Sequence, residues 1–387
     1  MANTLTGLIP TIYAGLDIVS RELIGFIPNV QRDATAQSGA VGQTVRSPVV
    51  PATSAEDISP GNNPADSGDQ SIGYVDVAIT KSRAAPIRWT GEEQLSVGKD
   101  GMINTILRDQ FAQAFRVLAN EVETDIAALY TKASRAYGSA GTAPFGSADD
   151  MSDFAEANRI LDDNGAPASG RVMIVGSAAR AKLEGKQSHL FKVNESADAG
   201  ALLRSREMRQ LMGFQMGFSA GIKSHTKGAG TGHDINNVSG EAVGQTALTF
   251  DGGTVNTTGI KAGDIITLAG DTNKYVVGTG SVATSGDLVI NAPGLRIAAA
   301  DGTEITVGDS YTANMFFSRN ALILASRVPA MPAGGDNADD VMTVTDPVSG
   351  LVFQVALYRQ YRRVKYEIGL AWGVGAPKSE HLGILLG

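Results

Sequence analysis

A chain of 387 residues, 43% hydrophobic and 19% charged, exceeds the size at which one hydrophobic core usually keeps growing, so two or three domains, or one core with a large insertion, are expected. The absence of cysteine excludes disulfides, thiolate zinc sites and cysteine nucleophiles, and a net charge of −8 argues against gripping nucleic acid by bulk charge. The opening MANTLTGLIPTIYAGLDIVSRELIGF lacks a basic start, and Asp17, Arg21 and Glu22 interrupt its apolar run, so neither signal peptide nor membrane span is expected and the chain reads as cytoplasmic when made.

Leu5, Leu8, Ile9, Ile12, Leu16, Val19, Leu23 and Ile27 recur at helical spacing and predict an amphipathic helix over 5–27 that Pro28 ends. From Gly39 to Gly73 the chain is rich in Pro, Gly, Ser and Asp, and YVDVAIT then alternates like a strand, which predicts a long polar excursion between two strands. Asp100 is the predicted N-cap of a helix running to about Ala136, whose stripe Ile103, Leu107, Phe111, Ala114, Leu118, Val122, Ile126 and Leu129 leaves Arg108, Arg116, Glu123 and Lys132 to face elsewhere. At the standard rise this is a rod roughly 55 Å long.

Residues 150–220 alternate helix and strand: MSDFAEANRILDDNG, RVMIVGS and AARAKLEGK, with a basic run LLRSREMRQLMG. The texture changes between Lys223 and Phe317, where Gly, Thr, Asp and Asn separate short β-branched runs, as in a small β-barrel or sandwich. NALILASRVPA and LVFQVALYRQYRRVKYEIGLAWGVG resume longer strands, so the β-rich block reads as an insertion.

Chemistry-bearing constellations are sparse. His225, His233 and Asp234 match no familiar metal spacing and read as exposed loop residues, with His189 and His381 isolated elsewhere. GAGTGH, Gly228–His233, lacks the strand before it and the helix after it that would aim N–H groups at a phosphate, and GSAARAKLEGK lacks P-loop spacing. Asp149–Asp150, Asp162–Asp163 and Asp339–Asp340 stand where solvated turns and caps need acceptors. No catalytic residue, cofactor or metal is assigned, and the chain is not expected to be an enzyme.

YRQYRRVKYE, Tyr358–Glu367, offers aromatics and cations for stacking and phosphate contacts, but read as one strand it places Tyr358, Gln360, Arg362, Val364 and Tyr366 on one face and Arg359, Tyr361, Arg363, Lys365 and Glu367 on the other. A strand polar on both faces suits a subunit boundary, where Arg and Tyr are enriched.

The ordered parts resemble the HK97-type major capsid fold of tailed bacteriophages, an α+β class, and the inserted β-rich block narrows the resemblance to P22-like coat proteins. GLDIVSRELIGFIPNVQRD is similar to that family's N-arm, LANEVETDIAALYTKAS to the second half of its spine helix, GIKAGDIITLAG to a strand pair of its insertion domain, FFSRNALILASRVPA to the return from that domain, and YRRVKYEIGLAWGVGAPKSEHLGILLG to the closing strand and tail. The resemblance implies an N-terminal arm over 1–42, an E-loop hairpin over 43–92, the spine helix and P-domain over 93–140, the first part of an A-domain over 141–222, an inserted β-barrel-like domain over 223–317, and a return through A- and P-domains over 318–387.

The implied function is structural: copies of the chain form pentamers and hexamers of an icosahedral head around double-stranded DNA, which is enclosed without sequence-specific binding. The implied partners are further copies, a scaffolding protein, a portal protein and a decoration protein, with no membrane; a procapsid forms first and expands. The direct start into the arm suits a separate scaffold. The first lysine is Lys81, after the excursion, so the lysine needed on that hairpin for a Lys–Asn cross-link is missing and cohesion is expected to be noncovalent. Subunit contacts are expected from Leu16, Leu23 and Ile27 in the arm, Asp57 and Asp69 on the excursion, and Arg359, Arg362, Arg363 and Lys365 in salt bridges. An encapsulin-like, cargo-enclosing shell is the alternative within the same fold, and an α/β enzyme with a β-rich accessory domain is the alternative in another class.

Overall fold

The computed structural model describes residues 8–20, 24–49, 60, 73–98, 103–187, 190, 208, 210–254, 259–346 and 349–387. The chain opens with α1 (Ile9–Ser20), a 3-10 turn at Ile27–Asn29 and the strands β1 (Gln31–Gly39), β2 (Thr44–Val49), β3 (Gly73–Ala78) and β4 (Lys81–Thr90), then enters α2 (Gly91–Gly98) and the long α3 (Ile103–Ala127). β5 (Arg135–Tyr137), α4 (Ser152–Asp163), β6 (Arg171–Val175), α5 (Ser177–Lys186), β7 (Gln210–Leu211), β8 (Phe214–Phe218) and β9 (Ser224–His225) follow. Six short strands come next: β10 (His233–Ile235), β11 (Ala247–Asp251), β12 (Ile265–Leu268), β13 (Lys274–Thr279), β14 (Gly286–Ile290) and β15 (Glu304–Val307). β16 (Tyr311–Ser318), β17 (Ile323–Pro329), β18 (Asp340–Thr345), β19 (Val352–Gln360), β20 (Arg363–Gly375) and β21 (Leu382–Leu386) complete the chain.

α3 is the axis of the main core. Its stripe of Leu107, Phe111, Phe115, Leu118, Val122 and Ile126 is buried, and it meets one sheet through edge-on ring contacts, Phe111 with Tyr366 at 5.6 Å and Phe115 with Phe353 at 4.9 Å. That sheet runs β1-β17-β20-β19-β18, with β4 along the other side of β20. β4 is fastened to α3 along its length: Lys81 meets Asp125 at 2.8 Å, Arg83 meets Glu121 at 3.2 Å, and Trp89 Nε1 donates to Gln110 at 2.8 Å. Asp125 also accepts from Nε1 of the buried Trp372 at 2.8 Å, so one carboxylate ties β4, α3 and β20 together. α2 starts with a reciprocal cap, Glu93 accepting from the Thr90 N–H while Thr90 accepts from the Glu93 N–H.

The helix predicted over 100–136 is shorter. Its α part ends at Ala127, a 3-10 turn covers Ala128–Lys132, and Arg135–Tyr137 is a strand; Asp100 lies outside the described residues. At the standard rise the α part spans about 38 Å. The predicted N-terminal helix is likewise divided, because Ile27 and Pro28 belong to a separate buried turn.

β5, β21, β16, β6, β8 and β7 make, in that order, the body part of the second sheet, covered by α4 and α5 through a core that includes Phe154, Leu161, Leu183, Phe214 and Phe316. The texture change locates a real unit. β12-β15-β10-β11-β14-β13 run antiparallel and β12 pairs back onto β13, closing a six-stranded barrel around Leu248, Phe250, Ile266, Tyr275 and Leu288. The barrel strands end at Val307. Tyr311–Ser318, grouped with the inserted block by its sequence, pairs with β6 and β21 in the body sheet.

Candidate assembly surfaces

The stretch Tyr358–Glu367 is a hairpin where a single strand was expected. Gln360 pairs with Arg363, Tyr361 and Arg362 form the turn, and Arg362 has φ 53, in the left-handed region. The chain reverses there, so the two-faced strand reading fails between residues 361 and 362. Tyr361 is 89% exposed at the tip, with the Arg362 guanidinium 5.7 Å from its ring centre. Behind the tip the seam is internally braced: Asp339 accepts from the Arg359 N–H at 2.9 Å and lies 3.4 Å from its guanidinium, and Lys365 meets Glu367. Tyr358 donates to Asp336 at 2.6 Å, which holds that carboxyl below its ordinary value. Arg363 donates to Gln360. Arg359 and Lys365 thus have carboxylates within the chain, while Arg362 and Arg363 stand exposed at the tip.

The second surface is a ribbon. Among the described residues β2 and β3 pair only with each other, in the register Val45 with Val77 and Arg46 with Asp76. Val77 packs on Ile323 and Ala325, anchoring the base. On the other face Arg46 stacks 3.8 Å from the Tyr74 ring centre and meets Asp76 at 3.0 Å, and Tyr74 is 56% exposed. Asp57 and Asp69, expected at the tip of this excursion, lie outside the described residues, as does Leu23 of the arm.

The arm is held by the chain's own core. Leu16 is 2% exposed and Ile27 fully buried, so their side chains are spent within the subunit. α1 crosses α3 at Gly15, where a Cβ would stand 3.0 Å from the Arg108 carbonyl oxygen. Glu123, expected to face outward from α3, is instead 3% exposed and accepts the N–H groups of Gly25 at 2.6 Å, Phe26 at 2.7 Å and Ile27 at 3.1 Å. Burial pushes its carboxyl above the ordinary value, opposed by those hydrogen bonds and one from Ser219. Nothing local in the sequence marks this role, because the partners lie 96 to 98 residues away.

The histidines expected in exposed loops are buried at the barrel root and inside the barrel: His225 is 6% and His233 1% exposed. Tyr130 Oη stands 2.9 Å from His225 Nδ1, and Nε2 stands 2.7 Å from Asp264, which also accepts the Gly228 and Lys261 N–H groups. The order is Asp–His–Tyr, and burial, with the Asp264 charge second, raises the Tyr130 hydroxyl above its ordinary pKa. Both carboxylates of one expected solvated turn are also engaged: Asp162 meets Arg171, and Asp163 meets the buried Arg135 at 3.0 Å. Among the described residues no three His, Asp or Glu side chains are grouped to hold a metal ion.

No protein-family profile and no curated protein matches the chain. Solved structures similar to it include one titled Mycobacterium phage Che8, at 15% identity and TM-score 0.44, covering 89% of this chain and 84% of that one. The capsid of cyanophage P-SCSP1u is similar at 10% identity and TM-score 0.45, covering 92% and 86%. A virus-like particle from Pyrococcus furiosus is similar at 9% identity and TM-score 0.42, covering 97% and 98%.

Proposed function

We propose that this chain is a shell-forming coat protein of the tailed-phage type, a P22-like variant of the HK97 capsid fold. In this reading many copies close as pentamers and hexamers around double-stranded DNA. A scaffolding protein directs a precursor shell, a portal protein occupies one vertex, a decoration protein is a further partner, and the shell expands without covalent cross-links.

The observation that carries the reading is the β2–β3 ribbon. Among the described residues it pairs with no third strand, and its packing on the core runs through Val77, with Val45 against the same small cluster. A two-stranded ribbon is marginal alone in water, and unpaired strand edges invite pairing, so a ribbon of this kind is stabilised when a neighbouring subunit covers it. The hairpin tip at Tyr361–Arg363 supplies a second, separate surface on the same chain, exposed and rich in Arg and Tyr. Two different patches meeting different neighbours is the heterologous arrangement that builds rings and closed shells.

Electron microscopy of the full chain, expressed alone and with a candidate scaffolding protein encoded beside it, tests the reading. Closed shells are expected in at least one of the two preparations. Soluble monomers in both would overturn it, and shells filled with a protein cargo would replace the DNA container by a compartment.

A further inference from the structure

The sequence from Ile103 to Tyr137 contains neither Gly nor Pro, and its apolar spacing runs on as Ile126, Leu129 and Ala133; the first helix-stopping residue is Gly138. The structure nevertheless leaves the α-helix at Ala127, turns Ala133 to φ −63 and ψ 148, and lays Arg135–Tyr137 into a sheet. Local preference and tertiary structure disagree over the ten residues 128–137.

What wins is a clamp supplied by the barrel and the C-terminal strand. Asn291, just after β14, donates its side-chain amide to the Thr131 carbonyl at 2.9 Å and to the Ala133 carbonyl at 2.7 Å. In a continued helix those two carbonyls would accept the N–H groups of Arg135 and Tyr137. Ser134 donates both its N–H and its hydroxyl to the Leu382 carbonyl. β5 then pairs with β21 on one side and with β13 on the other.

That position matters for the whole molecule. Along the large sheet the order is β14-β13-β5-β21-β16, so β5 is the one described strand that pairs with both the barrel and the body. Several side-chain ties between the two also end on this segment, Asn291 on Thr131 and Ala133, and Arg135 on Asn273 at 3.0 Å, while His225 to Asp264, Tyr311 to the Gly263 carbonyl and Arg296 to the Asp163 carbonyl tie the barrel to the body elsewhere. Extending the helix would withdraw β5 and break the ties on this segment together.

We propose that residues 128–137 are a helix–strand switch: as turn and strand they dock the barrel onto the body sheet, and as a continuation of α3 they release it. Growth of the helix and release of the barrel are one event, and Asn291 is the residue that opposes it. The helical state replaces the hydrogen bonds that the 128–137 backbone makes to β13 and β21 with intrahelical ones, and it leaves the edges of those two strands to be satisfied by solvent. The proposal concerns the chain itself and stands whether or not it forms a shell.

Hydrogen exchange of the full chain carrying Asn291→Ala tests it, with Asn291→Asp as a same-size second variant that cannot donate. β13 and β21 should exchange about tenfold faster, as expected for two lost hydrogen bonds, while the amides of 128–137 stay protected because they have become helical. The chain has no cysteine, so Ala136→Cys with Lys274→Cys, directly opposed in the β5–β13 register, gives a single disulfide. Oxidising that pair in the Asn291→Ala background should restore protection to β13. If both Asn291 variants fail to fold, exchange of the unaltered chain in urea below its unfolding transition must show the same pattern. Residues 128–137 losing protection together with β13 and β21 would mean release by unfolding and overturn the switch; no change in β13 and β21 would overturn the role of Asn291.

Discussion

His233 is the least comfortable residue of the barrel. It is 1% exposed, neither ring nitrogen has a partner among the described residues, and its ring lies so close to Gly253 that a Cβ there would stand 1.8 Å from it. Burial lowers its pKa below the ordinary 6.5, against the raising influence of Asp234. A depressed folded-state value means that the neutral ring is favoured in the fold, so its contribution is fully present above about pH 6.5 and is lost as pH falls from there through the depressed folded value. Urea or thermal denaturation between pH 7 and pH 5 should therefore show stability falling with acid. His233→Leu should flatten that part of the profile and add about 1 kcal/mol at neutral pH by removing two orphaned polar atoms. An unchanged profile in the variant would assign the acid sensitivity to another group. Residues of this kind are hard to read from sequence: GAGTGH looks like a flexible loop because nothing local shows that β11 and the 252–253 glycines close over it. Glu123 was illegible for the same reason, since a carboxylate beside an apolar stripe looks solvent-facing until a segment a hundred residues away supplies its three donors.

Elements whose signals are local were legible. α4, β6 and α5 appear where helical spacing, a β-branched run and a Gly boundary place them, and the short-strand texture marks the barrel. The hairpin at residues 361–362 was not, because the Asn-Gly or Asp-Gly pair that announces a two-residue turn is replaced by Tyr-Arg. Arg362 bears the consequence: at φ 53 its Cβ crowds the backbone, at a cost of about 1 kcal/mol that glycine would avoid. Arg362→Gly should raise the stability of the unassembled chain by about 0.5 kcal/mol, since glycine's larger unfolded-state entropy offsets part of the relief, and should lower particle yield. A denaturation midpoint that falls in the variant would show the turn to be unstrained. A gain in stability with undiminished yield would show that the arginine is kept for something other than subunit contact.

At the scale of the molecule, the separation between folding and assembly can be measured. The core around α3 is continuous from α1 to β21 and does not depend on the tip of the β19–β20 hairpin, where Tyr361, Arg362 and Arg363 are exposed. Replacing Arg362 and Arg363 by alanine should therefore leave the unfolding free energy within about 0.5 kcal/mol of the original. A closed shell responds differently, because every copy repeats the same contacts and the threshold concentration for closure follows the exponential of the free energy gained per subunit. If the two arginines contribute about 1 kcal/mol per subunit across an interface, the threshold rises about fivefold in whichever mixture assembles. Light scattering over a dilution series reads that threshold directly, and added salt should raise it for the original chain more than for the variant, since screening weakens the same charges. A variant that assembles at the original threshold would remove the hairpin tip from the interface and leave the ribbon as the remaining candidate, whereas a variant that loses fold stability in parallel would show that the tip belongs to the subunit rather than to the shell.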